Sequence, residues 1–168
     1  MRTGDRESKR RKGKGGALQF HLADRSDPAS AAESIDGIED EAVRIARSGG
    51  LPDDKARFLG VALREAIVNA LRHGRRADGQ CDVEVRLRKV FGRVLSMMVR
   101  DRGPGFDPGN VPDPSLPENA ARNSGRGIFF MRQFADRVTF DFPREGGVVV
   151  RLAKRLPGGQ AVRSRSRR

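Results

Sequence analysis

Tryptophan and tyrosine are absent from this chain, and cysteine occurs once, at Cys81. A single thiol excludes an internal disulfide framework and a cysteine-rich zinc site, and it is compatible with a reducing compartment. Long apolar runs are missing as well: nothing approaches the roughly 20 residues needed to span a bilayer. The start, Met1-Arg2-Thr3-Gly4-Asp5-Arg6, leads into more charge and no apolar segment, so no secretory signal is read there. No Gly-Lys-Ser or Gly-Lys-Thr occurs, which removes the common phosphate-binding loop, and there is no internal repeat. These absences together suggest a cytoplasmic protein with no membrane partner.

What the chain has in excess is positive charge, a net +12 over 168 residues. Its distribution matters more than its total. Residues 1–16 hold seven Lys/Arg against Asp5 and Glu7, and residues 154–168 hold six with no acid, so all but about +1 belongs to the two ends. The ends (1–16 and 156–168) read as disordered basic tails around one domain, 17–155. They could steer an acidic partner, touch nucleic acid or confer solubility. The body is near neutral and lacks Trp and Tyr for stacking bases, so nucleic acid is expected as a partner only through the tails.

Within the body, Ala17 to Leu22 alternates as a strand. Ser26-Asp27-Pro28 starts a helix that Gly49-Gly50 stops near Ser48. A second helix runs from Pro52-Asp53-Asp54 to His73, with Phe58, Leu59, Ala62, Leu63, Ala66, Ile67, Ala70 and Leu71 on one apolar face. Gly74 stands where a left-handed residue would close it. Strands are expected over 81–88 and 93–100, joined at Phe91-Gly92, and over 137–142 and 148–153. A third helix, 127–134, turns Ile128, Met131 and Phe134 inward. Residues 102–123 carry five prolines and fit no regular element, as a functional lid or a disordered segment would. The whole is an α+β fold: a two-layer sandwich, with a mixed, mostly antiparallel sheet covered on one face by about three helices.

Three stretches carry chemistry. In Arg64-Glu65-Ala66-Ile67-Val68-Asn69-Ala70-Leu71-Arg72-His73-Gly74, Glu65 and Asn69 lie one turn apart on the helix face opposite the apolar one. An amide oxygen suits magnesium alongside phosphate oxygens, and a carboxylate one turn away can take a proton from a nucleophile. The same pair also occurs on ordinary amphipathic helices, and His73 in a last turn suits the helix dipole without further purpose. In Asp101-Arg102-Gly103-Pro104-Gly105-Phe106 a carboxylate ends an apolar strand, where partial burial obliges it to accept hydrogen bonds, and a purine amino group is one suitable donor. A plain Asp/Gly turn has the same composition. In Ser124-Gly125-Arg126-Gly127-Ile128, glycines open a helix whose free amides attract anions, as ordinary loop ends also do.

In this order and in these settings, the three stretches resemble the acid–amide box and the two glycine boxes of the ATP-binding superfamily of gyrase, histidine kinases and MutL, abbreviated GHKL. The resemblance covers about 17–153 and is most specific to bacterial anti-sigma factor serine/threonine kinases, because no transducer domain or upstream phosphoacceptor helix is read in the chain. It implies the Bergerat, histidine kinase-like ATPase fold with ATP and Mg2+ as cofactors. By resemblance, Glu65 is the general base and Asn69 the magnesium ligand. His73 joins the nucleotide site, Asp101 binds the adenine amino group, and Gly103 and Gly105 shape the adenine and ribose side. Gly125, Arg126 and Gly127 hold phosphates under the 106–123 lid. The implied activity is transfer of the γ-phosphoryl group of ATP to a serine of a small anti-sigma factor antagonist (a STAS-domain protein), with sequestration of a sigma factor. Relatives are commonly dimers, so a homodimer is implied too. The alternative is an ATP-binding regulator that holds its partner without phosphoryl transfer.

Overall fold

The computed structural model describes residues 11–12, 17–23, 28–105 and 126–158. In chain order these form β1 (Arg11–Lys12), β2 (Leu18–Ala23), α1 (Pro28–Ser48), α2 (Asp53–His73), β3 (Asp82–Val90), β4 (Val94–Arg100), α3 (Arg126–Phe134), β5 (Arg137–Asp141) and β6 (Val149–Arg155). The strands make one sheet in the order β1-β2-β3-β4-β6-β5. Every neighbouring pair among the described residues is antiparallel. The fold is α+β, with the helices packed on one face of the sheet.

Side-chain alternation decides which face that is. Phe20, Val85, Val99 and Val150 pair across four strands as one row, and Leu18, Leu87, Met97 and Leu152 as the next. All eight are buried beneath the helices. Gln19, Arg86, Met98 and Arg151 form a row on the opposite face, and none of them is buried. Phe91 and Gly92 both take positive φ (48° and 68°), and the Arg93 N–H donates to Val90 O at 3.0 Å, which closes the β3–β4 hairpin with a mirror-image turn.

α1 ends at Gly50, whose φ of 84° admits the left-handed turn, and the Leu51 N–H donates back to Ala46 O at 3.1 Å. α2 then lies along the sheet on Leu59, Ala62, Leu63, Ala66, Ile67 and Ala70, all buried. Arg64 reaches across to Glu39, at 2.5 Å, and to Asp36 on α1. Such partly exposed ion pairs contribute only about 0.2–1 kcal/mol. Their importance is orientation: with Arg64 held toward α1, the next residue, Glu65, is rolled toward α3.

Three expectations need correction. Phe58 does not join the core face of α2: it is 46% exposed and its ring stacks on Phe134. The N-terminal stretch expected to lack structure contains β1, which pairs Arg11 with Gln19 and Lys12 with Leu18. At the other end the body runs past Arg155. Leu156 is buried against Gly49, its N–H donates to Arg93 O at 2.7 Å, and the Gly158 N–H donates to Gly49 O at 2.8 Å. One apolar side chain after a charged strand end is enough to carry the chain over the α1–α2 link. No helix among the described residues is long and apolar enough to cross a membrane.

Candidate active site

The site is built along one stripe of α2. Glu65 and Asn69 are half-buried, a turn apart, and α3 comes down on them at Gly127. A Cβ at Gly127 would lie 2.9 Å from both Glu65 Oε2 and Asn69 Nδ2. A side chain there would have to push aside the tips of Glu65 and Asn69, whereas glycine leaves both free to face the start of α3. The first turn of α3 therefore brings its unpaired amides and the positive end of its dipole to the carboxylate–amide pair. Arg126 opens α3, while Gly125 and the proline-rich stretch from Phe106 onward lie outside the described residues.

Farther along the same helix, about 12 Å from Glu65 at 1.5 Å per residue, α2 ends at His73 and Gly74 against the end of β4. Asp101 is 6% exposed and is the one buried polar or charged side chain among the described residues. Its Oδ1 accepts from the Gly103 N–H at 2.9 Å and, more weakly, from the Val148 N–H at 3.3 Å. Burial pushes the Asp101 carboxyl above the ordinary range, and those two backbone bonds and the nearby His73 offset this only in part. The turn before β6 closes over the same point. The Asp101 N–H donates to Val148 O at 3.0 Å and the Gly147 N–H to Gly103 O at 2.8 Å.

Glycine is required here for two different reasons. Gly74 has φ −86° and ψ 17°, not the left-handed geometry expected of it. Any residue could adopt that backbone. What excludes a side chain is space, because a Cβ would stand 2.3 Å from Ala70 O and 2.4 Å from Asp101 Cβ. Gly103 likewise packs on Gly74, whose Cα would be 2.6 Å from an added Cβ. Gly105 is the reverse case: its surroundings are open enough for a Cβ, but its φ of 81° favours glycine. Gly74→Ala is therefore expected to cost about 3 kcal/mol, as overpacking does, and to displace Asp101. Urea melts together with adenosine titration would check both. A fully stable variant with unchanged affinity would contradict the contact.

The structure brings Glu65, Asn69 and Gly127 together, and Asp101 with Gly103. His73 is exposed and belongs to the Asp101 end, not to the Glu65–Asn69 pair. The contributions of Gly74, Gly147 and Val148 were missed. The Gly146-Gly147 pair was the available signal, since both take positive φ (91° and 87°) at the turn that closes over Asp101. A separate cavity of about 520 Å3 opens between α1 and α2, lined by Glu39, Asp40, Val43, Arg44, Arg47, Arg57 and Val61. It shares no residue with the site, and its arginines are paired with Glu41 and Asp53.

A two-layer α+β sandwich, with three helices on one face of an antiparallel sheet, is consistent with the fold of an ATPase-type domain. The profile of the histidine kinase-like ATPase domain matches residues 14–154, and the chain belongs to that family. Among curated proteins it is similar to the serine-protein kinase RsbW of Bacillus licheniformis, at 31% identity over 67% of this chain and 72% of the relative. It is also similar to RsbW of Bacillus subtilis (strain 168), at 28% over 69% and 78%. The anti-sigma F factor of Bacillus licheniformis shares 26% identity over 65% and 75%.

Proposed function

We propose that this protein is an anti-sigma factor kinase: it transfers the γ-phosphoryl group of ATP to a serine or threonine hydroxyl of a small STAS-type antagonist, and it holds a sigma factor when that antagonist is unavailable. The observation that carries this reading is the contact of Gly127 with Glu65 and Asn69, which sets a helix amino end, a carboxylate and an amide around one point. That combination serves phosphoryl transfer, which depends on positioning and charge neutralisation more than on covalent chemistry. The names of the relatives, serine-protein kinase and anti-sigma factor, support the same reading.

In this proposal the adenine amino group donates to Oδ2 of Asp101, whose Oδ1 is already held by Gly103 and Val148. The phosphates meet the first turn of α3 at Gly127, with Arg126 and Gly125 beside it. Among the described residues no group of three or more His, Cys, Asp or Glu could cage a metal. The residues fit magnesium held by Asn69 together with phosphate oxygens and water, the ligand set this ion accepts. When bound, it would neutralise phosphate charge. Glu65 takes the proton of the incoming hydroxyl as the new P–O bond forms and the bond to the β-phosphate oxygen breaks, releasing ADP.

Incubating the full chain with γ-labelled ATP, magnesium and a STAS-type antagonist should move label onto a serine or threonine of the antagonist. Label that stays on ATP, or appears only as free phosphate, would overturn the kinase assignment.

A further inference from the structure

α3 lies along the Glu65 stripe of α2 with its chain direction reversed, and it touches that stripe at two matched points. At one end Gly127 sits against Glu65 and Asn69. At the other the ring of Phe134 stacks on that of Phe58, with centroids 4.6 Å apart and planes within 6°. Phe58 and Glu65 are seven residues apart on α2, and Gly127 and Phe134 are seven apart on α3. Seven residues are two turns, about 10 Å, on each helix. Equal spacing on both helices means that one axial register satisfies both contacts.

Core formation accounts for Phe134, which packs against the core, but not for Phe58, which is 46% exposed while Leu59, Ala62 and Leu63 beside it are fully buried. Ile128 and Met131 press α3 onto the core, and the ring pair adds a contact at its edge. A flat ring pair has a preferred overlap and resists sliding. Phe130 continues the stack behind Phe134 at 5.7 Å. A slip of one turn would carry Gly127 about 5.4 Å from Glu65 and replace it with a residue whose side chain would push the tips of Glu65 and Asn69 aside.

We infer that Phe58 and Phe134 are positioning residues: their stack sets the axial register of α3, and through it the placement of the Gly127 end over Glu65 and Asn69. The inference rests on the ATP site proposed above and deepens it, since the phosphate side then depends on a contact about 10 Å along α3 from Gly127, while the adenine side does not.

The test uses the full chain, with Phe58→Ala, Phe58→Leu and Phe58→Tyr titrated against ATP and against adenosine, which lacks the phosphates that meet α3. Phe58→Ala should weaken ATP binding roughly tenfold, the most a stack of this geometry contributes, and leave adenosine within about twofold of the unaltered chain. Phe58→Leu keeps bulk without a flat face and should behave as Phe58→Ala does, so the test survives if the alanine variant fails to fold. Phe58→Tyr keeps the ring, can turn its hydroxyl to solvent, and should match the unaltered protein. Unchanged ATP affinity in both truncated variants, or equal weakening of ATP and adenosine, overturns the inference. Amide exchange without nucleotide provides the independent arm: α3 amides should exchange faster in Phe58→Ala and Phe58→Leu but not in Phe58→Tyr, with sheet amides unchanged. If α3 follows Phe58 in this way while the unaltered chain binds no ATP, the nucleotide reading falls and the register assignment stands. If α3 exchange is indifferent to Phe58, the register assignment falls.

Discussion

Asp101→Asn should weaken ATP binding about a hundredfold while leaving the protein no less stable at neutral pH. Asparagine can keep its Oδ1 on the Gly103 and Val148 N–H groups, so neither backbone donor is orphaned. What changes is the other arm, where an NH2 group would face the amino group of adenine, donor against donor. Losing a charge-assisted bond in a buried site typically costs about 2–3 kcal/mol, hence the hundredfold. The stability half follows from the sign of the shift. Burial holds the Asp101 carboxyl above its ordinary range, so the folded state binds that proton more tightly than the unfolded chain does. Its stabilising contribution is complete below the unfolded pKa and is lost as pH rises through the raised folded value. A side chain that does not ionise escapes that loss. Calorimetric titration with ATP, and urea melts across acidic to neutral pH, would measure the two halves. Unchanged ATP affinity would remove Asp101 from the adenine site.

Glu65→Gln separates the two remaining readings of the site. Glutamine preserves the shape against Gly127 but cannot accept the hydroxyl proton. Phosphoryl transfer should fall by about 10²–10⁴, the usual contribution of a positioned base, with ATP affinity changed by no more than about twofold. Single-turnover transfer to the antagonist, set beside nucleotide affinity in the same buffer, gives both numbers. Undiminished transfer would sink the base role. An unaltered protein that binds ATP tightly and never transfers would leave the binding-only regulator.

Much of this was legible in the chain because it rests on local periodicity. The inward row of α2 and the alternating strands follow from the positions of their Leu, Ile, Val and Ala, and Phe91-Gly92 identified its own hairpin. Glu65, Asn69 and Gly127 were named through the resemblance of the three stretches to one family, since a four-residue spacing or a glycine at a helix start is by itself ordinary. Contacts that join distant segments left no such trace. Gly74 looked like a helix terminator, but a side chain there would meet Asp101, twenty-seven positions later, as well as the nearby Ala70 O. The burial of Leu156 depends on the α1–α2 link. Phe58 fits an apolar periodicity equally well as core or as half of a surface stack, and only the place where α3 lands decides between them.

The hydrogen bond from Val148 to Asp101 spans 47 positions and comes with the insertion of β6 between β4 and β5. During synthesis this imposes an order of events. The helix that carries Glu65 and Asn69, and the Gly103 bond to Asp101, can form from neighbours in sequence, whereas the Val148 bond to Asp101 must wait for the segment that enters β6. A ribosome-bound chain therefore passes through an interval in which Glu65 and Asn69 stand on their helix while Asp101 still lacks one of its two backbone donors. If the proposed site holds nucleotide, binding adds stability by mass action to the chain in which the Val148 bond is made.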